Sequence, residues 1–308
     1  MGKIQISLSF TGRPLQFLGV LALLVLALAV TGCGVKRELR VEVPPQILAA
    51  RSASLDELVA IVNKYDGIAD LKSSSMTATM TSGEWESGRQ EEYRSAPGYI
   101  MLQRPSSMHL VMQNPVIYRT PVFEVVSGGD EFSAWFRNTN KVYKGRNSAG
   151  ELYADDLPNG ISLRPSHLYE AVIPAGIDLK NPGLRISVTE SADKTAKYYI
   201  LSVYKEDAPP IIHTVRSIWI ERSQLAIARV LSFDEKGSLV GEASYSGMES
   251  VGGFLLPRKI NMVRPRDGYS LGLEFTAGSW TVNSDLGEDS FVLSMGAGAE
   301  VVELKEKS

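Results

Sequence analysis

The sequence is poor in the residues that most often build disulfides, metal sites and catalytic centres. Among its 308 residues there is one cysteine, Cys33, and there are three histidines. One thiol cannot form an intramolecular disulfide, so burial of apolar side chains has to stabilise the fold. The sequence has no HExxH motif and no Gly-x-Ser-x-Gly motif. We therefore predict no catalytic residues, no metal site and no enzymatic activity.

A single Ser-x-x-Lys match, Ser191 to Lys194, leaves a hydrolase as a remote alternative. A nucleophilic serine in such a motif belongs at the start of a buried helix. Here the match lies in a polar turn between two strand-like segments, which argues against that role.

The sequence also lacks an excess of positive charge. It contains 32 lysines and arginines against 35 aspartates and glutamates, a formal net charge of −3. Proteins that bind nucleic acids carry clustered basic residues. The charge balance therefore predicts no nucleic-acid partner.

The most prominent apolar run, residues 15–30, is shorter than the roughly 20 residues that a membrane-spanning helix needs. Lys3 and Arg13 are the only charges before it, and small residues close it at Val30-Thr31-Gly32-Cys33. A basic start, an apolar middle and a small-residue end are typical of a secretory signal peptide, here residues 1–32. An uncleaved membrane anchor is the alternative.

The four residues ending at Cys33 resemble the lipobox of bacterial lipoproteins. The resemblance implies cleavage before Cys33 and covalent attachment of diacylglycerol and acyl lipid to its thiol, with no other cofactor. Residues 33–53, which contain Pro44-Pro45, then form an extended tether. Because Gly34 replaces the aspartate that retains enterobacterial lipoproteins in the inner membrane, we expect a lipid-anchored envelope protein in the inner leaflet of the outer membrane.

Two helices and many strands are predicted beyond the tether. Ser54 and Glu57 fit a capping box, and the apolar residues that follow recur at helical spacing. From Leu71 the apolar residues alternate, and turn signals recur about every ten residues, which indicates an antiparallel meander. So many twisted strands curl instead of lying flat. Midway, Pro165 and Pro174 bound a short helix whose apolar face contains Leu168, Tyr169 and Val172.

Three stretches resemble the LolA/LolB-type lipoprotein carriers and their relatives, which include the lipid carriers LppX and LprG. They are "YRSAPGYIMLQRPSSMHLVM", "FEVVSGGDEFSAWFRNTNKVYKG" and the segment from "IWIERSQ" to "LLPRKINM". The resemblance implies a mainly β (α+β) fold over residues 54–295: a large curved antiparallel sheet forms an unclosed β-barrel, with an N-terminal helix and a short mid-chain helical lid. Residues 296–308 would be a charged, solvated tail.

The resemblance further implies an apolar cavity under the lid that holds acyl chains. Five of the nine methionines lie between residues 76 and 112, and methionine adapts to varied apolar partners. Alternation alone does not distinguish a lined cavity from a filled core, so both remain open. The candidate lining residues are Met76, Ala78, Met80, Met108, Leu110, Met112, Phe132 and Phe136, and the candidate lid residues are Leu168, Tyr169 and Val172.

These observations predict a periplasm-facing lipoprotein that takes lipid or lipoprotein cargo. Its partners would be the membrane, the cargo, and a periplasmic carrier or other envelope protein. The alternative is a non-enzymatic envelope scaffold that binds a protein partner.

Overall fold

The structure is a computed structural model that describes residues 47, 49–84, 89–93, 95–117, 120–149, 152–154, 164–208 and 211–306. The predicted signal peptide, Cys33 and most of the tether lie outside these residues. Within them, no helix combines the length and the apolar character that a membrane crossing requires.

The first helix, α1, spans Leu55–Asn63, and one turn of 3-10 helix, Lys64–Gly67, follows it. The predicted capping box is confirmed. The Ser54 hydroxyl accepts a hydrogen bond from the Glu57 amide at 3.3 Å, and the Glu57 carboxylate accepts one from the Ser54 amide at 2.7 Å. These bonds satisfy backbone donors that the first helical turn leaves without partners. They also lower the pKa of the Glu57 carboxyl from its usual value.

Most of the described chain forms β-strands, as the alternation predicts. The strands are β1 (Asp70–Glu84), β2 (Arg89–Glu92), β3 (Ala96–Gln103), β4 (Ser107–Gln113), β5 (Pro121–Gly128), β6 (Glu131–Phe136), β7 (Lys141–Arg146), β8 (Leu152–Tyr153), β9 (Leu184–Ala192), β10 (Lys197–Ala208), β11 (Ile211–Glu221), β12 (Ala226–Phe233), β13 (Leu239–Val251), β14 (Phe254–Arg264), β15 (Tyr269–Phe275), β16 (Trp280–Val282), β17 (Glu300–Glu303) and β18 (Lys305–Glu306). The second helix, α2 or the lid helix, spans Pro165–Val172.

Sixteen strands form one sheet that does not close into a barrel, so the predicted unclosed β-barrel is confirmed. The strand order is β17-β7-β6-β5-β4-β3-β1-β15-β14-β13-β12-β11-β10-β9, with β2 and β16 paired to β1, while β8 and β18 form a separate pair. The chain builds outward from β1 to β7, restarts at the opposite edge with β9 and returns to β1 through β15. The connection from β7 to β9 therefore has to cross the sheet, and it carries the lid helix.

The lid helix packs on the inner face of the sheet, which we define as the face that bears Leu110, Val125 and Ile260. Its residues Leu168 and Val172 are buried there in the same apolar cluster as α1. The sequence predicts this helix between its two prolines, and the crossing connection explains why it covers the inner face.

The C-terminal segment corrects two predictions. Residues 296–308 were expected to be a solvated tail, but β17 pairs with the edge strand β7, with Val302 opposite Tyr143, and β18 pairs with β8. The β17–β7 pair is parallel, so the sheet is mixed and not wholly antiparallel. Val302 and Leu304 pack against the core, and their burial explains how a short, charged segment is held at the edge.

Candidate functional site

The predicted lining and lid residues lie together in one apolar cluster on the inner face. Ala78 and Met80 are partly buried, and the other predicted residues are buried. Cross-strand pairing continues the surface from β1 into β15, with Met76 opposite Phe275 and Met80 opposite Leu271. The structure thus brings these residues together as proposed. That they line a ligand cavity stays a prediction.

A small gap of about 10 Å³ lies at the end of the lid helix among Tyr65, Val172, Pro174, Ile227, Tyr245, Met248 and Pro257. That volume suits about one water molecule and is far too small for a hydrocarbon chain. An open hollow, which the family resemblance implies, is therefore not formed at this place by the described residues. The gap is lined by side chains from the turn after α1, from the lid helix, from the loop that follows it and from strands β12 to β14.

Polar contacts fasten the start of the lid helix. Arg164, the residue before the helix, donates hydrogen bonds to the carbonyl oxygens of Asn147 and Ala149. The Ser166 amide donates to the Asn147 side-chain oxygen at 3.2 Å. The loop after β7 therefore holds the first turn of the lid helix.

His167 attaches the middle of the lid helix to two strands of the sheet. Its Nε2 accepts a hydrogen bond from the Arg264 guanidinium at 2.9 Å, and its Nδ1 lies 3.2 Å from the Tyr269 hydroxyl. Arg264 is itself paired with Asp267 at 2.9 Å. Burial, together with the positive charge of Arg264, lowers the pKa of His167 to about 3. We therefore assign a neutral imidazole with its proton on Nδ1.

An inward-facing arginine attaches the end of the lid. Arg216 lies two residues before the buried Ile218 on β11 and so points to the same face. It donates to the carbonyl oxygens of Ala175 at 2.6 Å and Gly176 at 2.9 Å. Burial lowers the pKa of Arg216 from its usual value. Because these bonds go to carbonyls that follow the helix, Arg216 ties its C-terminal end to the sheet.

The same end is tied to α1. The Asn63 side chain donates to the Ile177 carbonyl at 3.0 Å and accepts from the Ile177 amide at 2.6 Å. Asp66 packs close to Gly176, where an added Cβ would lie 2.1 Å from a carboxylate oxygen. A larger residue at position 176 would therefore displace the Asp66 carboxylate from this contact.

Arg104 holds the N-terminal helix in place, a role that sequence analysis missed. Its guanidinium donates to the carbonyl oxygens of Ile68 and Tyr65, both at 2.9 Å, and lies 3.3 Å from the Asp66 carboxylate. The position of Arg104 between two strands can be read from the sequence. Its contact with a turn nearly forty residues earlier cannot be predicted from the sequence.

A buried histidine–glutamate pair lies on the opposite, outer face of the sheet. His109 Nε2 lies 2.9 Å from the Glu124 carboxylate, and its Nδ1 lies 2.6 Å from the Ser290 carbonyl oxygen. Glu124 also accepts a hydrogen bond from the Ser294 amide at 2.8 Å. The C-terminal segment thus covers the outer face of β4 and β5 before it reaches β17.

Two apolar pairs are exposed at the ends of strands. Val116 and Ile117, between β4 and β5, are 84% and 59% exposed. Ile211 and Ile212, at the start of β11, are also exposed. Val116 and Ile117 thus lie in the loop between β4 and β5 and not in a buried strand.

The fold and site together define an unclosed β-barrel whose inner face is covered by a lid helix. No family model and no curated protein sequence matches this chain. Its structure is similar to three solved structures at low identity: a DUF1329 family protein from Desulfovibrio piger, a LolA superfamily protein from Nitrosomonas europaea and an outer membrane lipoprotein-sorting protein domain from Vibrio parahaemolyticus.

The identities of these three are 15%, 11% and 11%, with TM-scores of 0.48, 0.45 and 0.48. The matches cover 77%, 79% and 77% of this chain and 95%, 99% and 97% of the respective neighbours. Two of the neighbours carry names from the group that the sequence resembles. Likeness at this level supports no statement about ligand, partner or activity.

Proposed function

We propose that the protein is a lipid-anchored, non-enzymatic carrier or acceptor, whose inner sheet face binds acyl chains of lipids or lipoproteins when the lid helix moves away. One observation carries the proposal. Beside α1, the continuous apolar face carries an eight-residue helix that polar contacts fasten at its start, middle and end.

Such fastenings suit a cover that opens. Water replaces a broken hydrogen bond, so the net loss per bond is about 0.5–1.5 kcal/mol. Opening also exposes Leu168, Tyr169 and Val172, at roughly 1.5–3 kcal/mol for each aliphatic side chain. An acyl chain that takes their place recovers about 0.8 kcal/mol for each buried methylene. A dozen methylenes therefore offset the exposure of these three side chains, and cargo and lid compete for one surface.

The predicted lipid anchor would determine where the protein acts. Lipid on Cys33 would hold the domain at the outer membrane, facing the periplasm. Arg51 and Ala53 hydrogen-bond to the sheet, so the end of the predicted tether at residues 51–53 is fixed to the domain. The remaining residues 33–50 could extend about 60 Å, at 3.3–3.6 Å per residue. The exposed Val116–Ile117 pair suits contact with a bilayer surface, because such side chains partition into the interfacial region.

The test is the lipid content of the purified full-length protein and of an Arg216→Ala variant. We expect the wild-type protein to carry lipid detectable by mass spectrometry. Removal of the Arg216 contacts should at least double the exchange of that lipid with labelled vesicles. Arg185→Ala is the matched control, because this arginine also donates to carbonyl oxygens but lies on β9, away from the lid helix. A protein without lipid, and without exchange in either variant, would contradict the proposal.

A scaffold is the second candidate, and the small volume of the gap at the end of the lid helix favours it. Within the described chain, β9 pairs on one side only and so forms an edge of the sheet. Edge strands present backbone groups that can pair with an extended segment of another protein. This function predicts a stoichiometric protein partner after cross-linking in cells, and no bound lipid.

A further inference from the structure

Two buried tyrosine hydroxyls on the inner face have no hydrogen-bond partner within the described part of the chain. They belong to Tyr169, on the lid helix, and Tyr245, on β13, whose side chains are 8% and 9% exposed. Buried polar groups are almost always paired, and an unpaired hydroxyl destabilises the folded protein. Phenylalanine would fill either position without that cost, so the hydroxyls require an explanation other than packing.

Tyr245 lies on the surface that the lid helix covers, and Tyr169 lies on the lid helix itself. Tyr245 lines the gap of about 10 Å³ together with Val172 of the lid helix. Tyr169 precedes Val172 by three residues, so the two share one face of that helix. Tyr65, which lines the same gap, shows the usual arrangement, because its hydroxyl donates to the Leu255 carbonyl at 2.5 Å.

The electrostatic surroundings favour an oxygen atom as the missing partner. Burial raises the pKa of both hydroxyls, so both remain protonated and able to donate. The charge of Arg216 acts on Tyr245, and that of Arg104 acts on Tyr169. On the sheet itself, the Tyr245 hydroxyl is a donor near a guanidinium group and among apolar side chains, which suits a polar oxygen attached to a hydrocarbon chain.

We propose that Tyr245 donates a hydrogen bond to the acyl carbonyl oxygen of the bound lipid. This inference rests on the proposed function and refines it. The site would recognise the carbonyl end of the chain and not hydrocarbon alone. The carbonyl oxygen belongs either to an ester or to a free carboxylate, and the experiment below distinguishes them.

The test is photolabelling of the full-length protein in membrane vesicles with three probes of equal chain length. They are a diazirine fatty acid, its methyl ester and the corresponding diazirine alkane. For Tyr245→Phe we expect the concentration for half-maximal labelling to rise about 3- to 10-fold for a carbonyl probe. It should stay unchanged for the alkane. A rise for both carbonyl probes identifies an ester site, and a rise for the acid alone identifies a carboxylate site.

Thermal stability provides an independent readout. Tyr245→Phe removes an unpaired hydroxyl, so its unfolding midpoint should equal or exceed that of the wild-type protein. Tyr65→Phe removes a paired hydroxyl, so it should unfold at a lower temperature without a change in the preference for carbonyl probes.

An equal effect of Tyr245→Phe on all three probes, or no effect on any, would overturn the inference and leave the carrier function intact. If the wild-type protein labels with none of the probes, the carrier function itself fails, and the inference fails with it.

Discussion

Single residues determine how the lid helix is held, and His167 offers the most direct test. Its imidazole is buried and accepts a hydrogen bond from Arg264, so it cannot take up a proton without losing that bond. The contacting charged groups are Arg264, Asp267 and Arg164, and Tyr269 contacts the other ring nitrogen. The lid helix is therefore sensitive to acid at this residue.

We expect His167 to make the folded protein less stable as the pH falls. The pKa of this side chain is about 3 in the folded protein and about 6.5 when unfolded, so the unfolded chain binds more protons between these values. The free energy of unfolding should fall by up to about 1.4 kcal/mol per pH unit below pH 6.5, or about 2 kcal/mol at pH 5. Urea titrations at several pH values measure this fall.

His167→Gln serves as the matched variant, because its amide can accept from Arg264 and donate to Tyr269 but does not titrate. Its unfolding free energy should depend less steeply on pH, because its unfolding takes up about one proton fewer. The same pH dependence in both proteins would assign the effect to other groups.

At the scale of elements, most helix and strand positions could be predicted from the sequence. Ala226–Phe233 and Tyr269–Phe275 form strands, as the alternation predicts, and Ser54 caps α1 as expected. Local signals suffice in these cases, since alternation and capping depend on neighbouring residues. The strand β17 was missed because its residues alternate weakly and its pairing partner, β7, lies far away in the sequence.

The candidate site shows the same limit. The apolar residues of the inner face could be predicted as a group, since each alternates within its own strand. The hydrogen bonds that hold the lid helix could not be predicted from the sequence. Asn63 and Arg216 come close to the end of this helix only because the connection from β7 to β9 crosses the sheet. The small volume of the gap depends on how the surrounding side chains pack, and the periodicity of the sequence does not encode that packing.

We expect the capping box of α1 to contribute measurably to stability. Ser54→Ala removes the hydroxyl that accepts from the Glu57 amide, and loss of an N-cap side chain costs about 1 kcal/mol. Urea unfolding of the variant gives this value directly. Ser52→Ala, an exposed position two residues earlier, is the control and should unfold like the wild-type protein. Equal losses of unfolding free energy in Ser54→Ala and Ser52→Ala would show that the Ser54 hydroxyl does not stabilise α1 as an N-cap.

For the whole molecule, the C-terminal strand protects one edge of the sheet. Val302 packs against the core opposite Tyr143, whereas the adjacent Val301 is exposed. The attachment of β17 to the core therefore depends on Val302 more than on Val301.

Val302→Asp should release β17 and expose the edge of β7, because the carboxylate would lose hydration on burial. We expect a loss of about 1–3 kcal/mol in unfolding free energy and more self-association, since open edges pair with other chains. Calorimetry and size-exclusion chromatography measure these two effects. Val301→Asp should change neither, and equal behaviour of the two variants would show that the edge is protected in another way.

The central position of β1 has a consequence for how the chain acquires its structure during synthesis. One neighbour, β3, follows soon after β1, but the other, β15, emerges only when nearly the whole domain has been made. Until then the growing chain carries a half-sheet with an unpaired strand at its margin, and the lid helix has only part of its eventual partner surface. Such late long-range pairing slows folding. A nascent chain halted before β15 should therefore remain sensitive to protease along β1.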